Sequence, residues 1–115
     1  MTIRIFHNPR CSKSRATLSL LQEQGIEPEI ILYLESPPDA GELCMILGKL
    51  GMSPRELMRK GEAAFREQGL DDESLSDDEL ISAMVATPKL IQRPIVLAGD
   101  RAAMGRPPES VLDIL

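Results

Sequence analysis

The chain predicts an α/β fold with a mixed four-stranded sheet, its elements ordered βαβ, a helical block, then ββα. Three observations lead there. Short β-rich runs stand near both ends of the chain, a helix-patterned stretch separates the first two, and a run of helix-start signals fills the middle. A strand, a helix and a strand in close succession form a right-handed unit with parallel strands, whereas two strands joined by a two-residue turn must be antiparallel, so the sheet is mixed.

Residues 2–6 alternate polar and apolar side chains, with Ile3, Ile5 and Phe6, and stop at His7-Asn8-Pro9. That is a strand pattern with a turn behind it. Residues 12–24 contain neither Gly nor Pro, and Ala16, Leu18, Leu20 and Leu21 offer a helical face before Gly25. Glycine just past the last patterned residue is a common helix end, so the first helix begins at or beside Cys11. Residues 29–34, with Ile30, Ile31 and Tyr33, predict the second strand.

Ser36-Pro37-Pro38 breaks the chain, and three helix starts follow: Asp39 with Glu42, Ser53 with Glu56, and Ser76 with Glu79. A short polar residue with Glu three positions later lets both side chains satisfy unpaired N–H groups at a helix start. Pro54 at a first helical position strengthens the second start. Leu43, Ile46, Leu47 and Leu50, and then Leu80, Ile81, Met84 and Val85, recur at helical spacing and are expected to be buried. Residues 94–98 and 101–105, separated by Gly99-Asp100, predict the hairpin, and Pro107-Pro108-Glu109 opens a last helix whose Val111, Leu112, Ile114 and Leu115 are expected to pack down. The whole, residues 1–115, reads as a single domain with a helical insertion at about 39–87, an arrangement that is thioredoxin-like.

Composition fits a soluble globular protein, 43% hydrophobic and 27% charged. No apolar run approaches a bilayer span, and the start of the chain has neither a signal-peptide nor a transit-peptide pattern. A cytoplasmic protein without membrane partners is expected, with Cys11 and Cys44 reduced. A net charge of −5 argues against nucleic acid. The charge is uneven: residues 4–15 hold Arg4, Arg10, Lys13 and Arg15 and no acid, residues 89–106 hold Lys89, Arg93, Arg101 and Arg106 against Asp100, and residues 16–88 are strongly acidic. If the two basic stretches meet in space, they form a local anion site.

Cys11 carries the chemistry of this reading. A cysteine attacks as its thiolate, which is favoured by the unpaired N–H groups and dipole at a helix start. The same N–H groups can hold an oxyanion. His7, Arg10, Lys13 and Arg15 neighbour Cys11 in sequence and each can add favourable field. An inert buried cysteine is the alternative, but the loop around Cys11 is polar and basic. Cys11-Ser12-Lys13-Ser14 is a Cys-x-x-Cys pattern with serine in the last place, so no resolving thiol is nearby. Cys44 is expected to be a structural core residue, as free cysteines often are. Reduction then needs an outside thiol. Arg93 and Arg106 each precede a proline at the end of an element, where functional groups concentrate.

The sequence resembles the glutaredoxin-coupled arsenate reductase family of the thioredoxin-like superfamily over nearly its whole length. The resemblance rests on His-Asn-Pro-Arg-Cys-Ser-Lys-Ser-Arg at 7–15, Tyr-Leu-Glu-Ser-Pro-Pro at 33–38, Leu-Met-Arg-Lys at 57–60, Arg-Pro-Ile-Val at 93–96 and Gly-Arg-Pro at 105–107. It implies that Cys11 is the nucleophile, that Arg59, Arg93 and Arg106 bind arsenate or a similar oxyanion, and that His7, Ser14 and Arg15 support the thiolate. It also implies glutathione as co-substrate and glutaredoxin as protein partner, with no resident cofactor or metal. The family's best-characterised members carry Cys-Gly-Thr-Ser-Arg in the loop, so Lys13 adds a charge here and Ser12 restricts the backbone; those members also have a C-terminal segment beyond the point matching Leu115. Two other activities suit a lone cysteine on this fold: a general thiol transferase, and a non-catalytic redox-sensing regulator.

Overall fold

A computed structural model describes residues 2–115. The chain forms two compact units, one from the residues up to Ser36 together with Arg93–Leu115, the other from Pro37–Gln92.

The first unit holds β1 (Ile3–Phe6), α1 (Ser12–Glu23), β2 (Glu29–Ile31), β3 (Ile95–Ala98), β4 (Arg101–Met104) and a closing 3-10 helix, Pro108–Ile114. The sheet order is β2-β1-β3-β4. β1 runs parallel to β2 and antiparallel to β3, and β3 pairs antiparallel with β4. This is the mixed four-stranded sheet expected from the sequence. Register places Ile5 between Ile30 and Val96. In the hairpin Ala98 faces Arg101, and Gly99 takes φ 64° at the first central position, where a side chain would be strained.

Ile5, Leu21, Val96 and Val111 make a fully buried cluster flanked by Ile3, Leu18, Leu20, Ile26, Ala103 and Ile114. Each large apolar side chain removed from water in this way stabilises the fold by about 1.5–3 kcal/mol. Alternation along β1 and β3 puts Ile5 and Val96 on one face, which α1 and the closing helix cover.

Three details differ from the sequence expectation. β2 stops at Ile31 because Glu35 and Ser36 both donate backbone hydrogen bonds to the Leu32 carbonyl and turn the chain. Ala16 is exposed, and the inward face of α1 is instead Ser14, Thr17 and Leu21, spaced by three and four residues. The closing helix is 3-10, so residues three apart eclipse: Val111 and Ile114 point inward while Leu112 and Leu115 remain exposed.

The second unit holds α2 (Ala40–Leu50), α3 (Pro54–Leu57), α4 (Ala63–Glu67), α5 (Asp77–Ala86) and a 3-10 turn, Pro88–Leu90. The three capping signals fold as read. Asp39 accepts from the Glu42 N–H, and Ser53 with Glu56 and Ser76 with Glu79 form reciprocal boxes. α5 packs on α2 and α3, with Leu43, Ile46, Leu47, Leu57, Leu80, Ile81 and Met84 buried; Leu50 and Val85 lie half-buried at the margins. After one turn of α3 the chain becomes extended and borders residues 90–92, through Arg59 N–H to Leu90 O (2.7 Å) and Gln92 N–H to Leu57 O (2.9 Å). α4 has no side-chain cap, and nothing in the sequence signalled it. Cys44 corrects the expectation of a core thiol: it is exposed on α2, between the buried positions Leu43 and Ile46, because the helix turns it outward.

Candidate active site

Cys11 is the N-cap of α1, with extended backbone (φ −94°, ψ 121°). The turn leading to it is closed by Cys11 N–H donating to Asn8 O and Arg10 N–H donating to Asn8 Oδ1, both at 3.0 Å. An Asn side chain that caps the backbone two residues on is a compact way to make such a turn. Arg15, one turn into the helix, donates from Nη1 to Pro9 O at 2.8 Å and ties the loop to α1. His7 N–H donates to Ile31 O at 2.9 Å and holds the loop's other end to β2.

The thiol is partly exposed. Burial pushes its pKa up and is the largest single influence, but the Ser14 N–H, the Arg93 charge, the Lys13 N–H and a hydrogen bond from Arg93 together outweigh it, and the pKa falls below the ordinary thiol value. The sulfur makes no capping bond of standard geometry, yet the two N–H groups of the first turn are near enough to favour its anion. The nearby cation that acts on the sulfur is thus Arg93, 82 positions away in sequence, rather than the neighbours Arg10, Lys13 and Arg15. The two basic stretches do meet, through Arg93.

His7 departs from the expectation of an added positive field. It is buried, 6% exposed, and its pKa is lowered first by burial and then by the Arg15 charge, so the ring is neutral near pH 7. Its Nδ1 lies 2.6 Å from Ser14 Oγ, which also accepts from the Asn8 N–H at 3.0 Å. With that lone pair occupied, the fully buried Ser14 hydroxyl is free to donate to Nδ1 of the neutral ring. His7 therefore holds Ser14, whose N–H faces the sulfur.

Arg93 Nε and Nη1 are buried and have no hydrogen-bond partner among the described residues. Buried guanidinium donors without acceptors are costly unless an anion completes them. Arg106 is exposed and donates from Nε to the Arg93 carbonyl at 2.7 Å; the Arg93–Pro94 and Arg106–Pro107 bonds are both cis. Cys11, His7, Ser14, Arg15, Arg93 and Arg106 all belong to the first unit. Arg59 belongs to the second, where its Nη1 pairs with Glu62 Oε1 at 2.7 Å. Sequence reasoning missed Glu62, although its i,i+3 spacing from Arg59 is a pairing signal. It also missed Gly105, which has no room for a side chain: a Cβ there would overlap the buried Thr17 side chain and come within 2.7 Å of Pro94 Cγ.

Among the described residues no group of three or more His, Cys, Asp or Glu is placed to hold a metal, and no helix is long and apolar enough to cross a membrane.

Sheet topology and an N-capping cysteine faced by an arginine define a thioredoxin-like protein with a single activated thiol. Residues 6–114 match the ArsC family model, and the chain belongs to the ArsC family. It is 58% identical to the uncharacterized protein YfgD of Escherichia coli, over 98% of this chain and 96% of that one. It is 52% identical to an arsenate reductase of Neisseria meningitidis serogroup B, over 98% and 97%. The arsenate reductase of Vibrio cholerae superposes with a TM-score of 0.98 at 51% identity, covering 100% of this chain and 98% of that one.

Proposed function

We propose that this protein reduces arsenate to arsenite in the cytoplasm, with Cys11 as nucleophile and glutathione and glutaredoxin as the source of electrons. The observation that carries the reading is the pairing of Cys11 with Arg93: one guanidinium lowers the thiol pKa and still has two buried donors unmet. A planar fork of donors suits a tetrahedral oxyanion and holds it against the sulfur. Arg106, fixed to the Arg93 carbonyl, is the further arginine of the oxyanion site, and relatives with the arsenate reductase name support that substrate.

The Cys11 thiolate attacks arsenic(V); an As–S bond forms and one oxygen leaves as water after protonation. Glutathione adds next, its thiol proton leaving with a second oxygen as water. The two sulfurs then join as a mixed disulfide, and the electron pair left on arsenic makes it arsenic(III), released as arsenite. Glutaredoxin takes the glutathionyl group and returns Cys11 to the thiolate. His7, Ser14 and Arg15 keep the loop in the geometry that favours the anion.

Arsenite formation measured with glutathione and glutaredoxin, separately and together, tests this. Full turnover is expected only with both thiol sources, and Cys11→Ser should abolish it. Unchanged turnover in Cys11→Ser would overturn the proposal, and disulfide exchange without any arsenate turnover would make the protein a general thiol transferase.

A further inference from the structure

Gly105 is buried and, unlike Gly25, Gly51, Gly69 and Gly99, does not take a positive φ. Conformation therefore does not call for glycine there; space does. A Cβ would overlap Thr17 Oγ1 and come within 2.7 Å of Pro94 Cγ and 3.0 Å of Thr17 Cγ2. Thr17 is fully buried, branched at Cβ, and held by its hydroxyl, which donates to Lys13 O at 2.8 Å, so it has little freedom to turn aside. The pairing of β3 with β4 also runs on past the strand ends. Ile95 faces Met104, then Gly105 N–H donates to Pro94 O at 3.0 Å and Arg106 Nε donates to Arg93 O at 2.7 Å. Arg93-Pro94 and Gly105-Arg106 are thus tied into one piece that carries both arginines of the oxyanion site. The thiol belongs to a different piece, the start of α1, where Ser14 and Thr17 follow Cys11 on the inward face.

We infer that Thr17 and Gly105 are positioning residues, whose contact sets how far Arg93 and Arg106 stand from Cys11. The role of the two arginines rests on the arsenate reading above. Among the described residues no backbone hydrogen bond joins α1 to residues 93–106, so side-chain packing registers the two pieces. Thr17 against Gly105 and Pro94 is the part of that packing next to the arginines, since Arg93 precedes Pro94 and Arg106 follows Gly105. Reacting and binding groups work only when held within about 0.5 Å of the productive geometry, and a close-packed contact transmits the addition of a single carbon. A larger group at either residue thrusts the arginines away from the sulfur. The volume of Thr17 supplies the spacing, and its hydroxyl fixes the rotamer.

Gly105→Ala enlarges the contact from the hairpin side and Thr17→Ile from the helix side. Each should raise the pH midpoint of Cys11 alkylation by iodoacetamide, because the guanidinium no longer reaches the sulfur. Each should also raise the KM for arsenate by about fivefold or more, with the KM for glutathione unaltered. Combining Gly105→Ala with Thr17→Ala, which removes two of the three close atoms, should return both readings toward wild type, and Thr17→Val, nearly equal in volume, should keep them there. A lowered urea midpoint with alkylation midpoint and arsenate KM at wild-type values in both enlarged variants overturns the inference, because the contact would then serve stability alone. Should Gly105→Ala fail to fold, Thr17→Ile compared with Thr17→Val decides by the same readings. Alkylation midpoints that shift as expected in a protein that never turns over arsenate would uphold the positioning of Arg93 and defeat the arsenate reading instead.

Discussion

Nδ1 of His7 lies 2.6 Å from Oγ of Ser14, and both residues are buried. Removing the hydroxyl leaves the ring nitrogen without a partner in a dry site. Ser14→Ala is therefore expected to lower stability by about 1–3 kcal/mol, read as a shift in the urea midpoint. The Ser14 N–H that faces the sulfur survives the change, so the loss of thiol acidity should be smaller than the loss caused by replacing Arg93.

His7 makes stability depend on pH. Its folded pKa is depressed by burial and by Arg15, so the unfolded chain takes up the proton first. Its contribution is fully present above the ordinary histidine value and is lost as pH falls through the folded value. Urea midpoints taken from pH 7.5 downward should fall more steeply for the wild type than for His7→Gln. Parallel curves would show that His7 does not titrate in this range.

Arg93 separates two roles that charge alone would merge. Cys11 has a folded pKa below that of a free thiol, so the stability it adds is fully present above the unfolded thiol pKa and lost as pH falls through the folded one. Iodoacetamide alkylation rates against pH should show a midpoint below that of a small thiol. Arg93→Met should raise the midpoint by removing both the charge and the hydrogen bond. Arg93→Lys keeps the charge but not the planar fork, so its midpoint should move less while its KM for arsenate rises by about tenfold.

Gly105 is where α1 meets the loop that carries Arg106. A methyl group there would collide with Thr17, whose hydroxyl donates to Lys13 O at 2.8 Å, and with the Pro94 ring. Gly105→Ala should destabilise the protein by about 1–3 kcal/mol through overpacking. The double variant with Thr17→Ala, which removes two of the three close atoms, should recover part of that loss in a double-mutant cycle.

Cys44 is exposed on α2, so Cys44→Ser should shift stability by no more than about 0.5 kcal/mol. A maleimide should label Cys44 in the native protein without denaturant, as judged by peptide mass spectrometry. Protection of Cys44 until unfolding would contradict its exposure.

How far local pattern reaches is visible in particular residues. Asp39, Ser53 and Ser76 announced their helices because capping is a contact between residues three positions apart, and Gly99-Asp100 announced its hairpin for a like reason. α4 carried no such signal, and its short helix lies in the second unit without a cap of its own. The burial of Thr17 and the outward turn of Cys44 and Ala16 were invisible because each depends on which face of a helix the rest of the fold covers. Of the site, Cys11 was legible as an N-cap, whereas Arg59 entered only through family resemblance.

By itself the sequence determined the element order, the mixed sheet and the placement of one cysteine at a helix start, since capping, turn chemistry and hydrophobic period are short-range. Only the tertiary structure decided which charge acts on that cysteine. Four basic or titratable neighbours stand within four residues of Cys11, yet the sheet brings in Arg93 from β3's leading end, while His7 is held neutral by burial. Electrostatic influence follows distance and desolvation in space, and neither is written in chain separation.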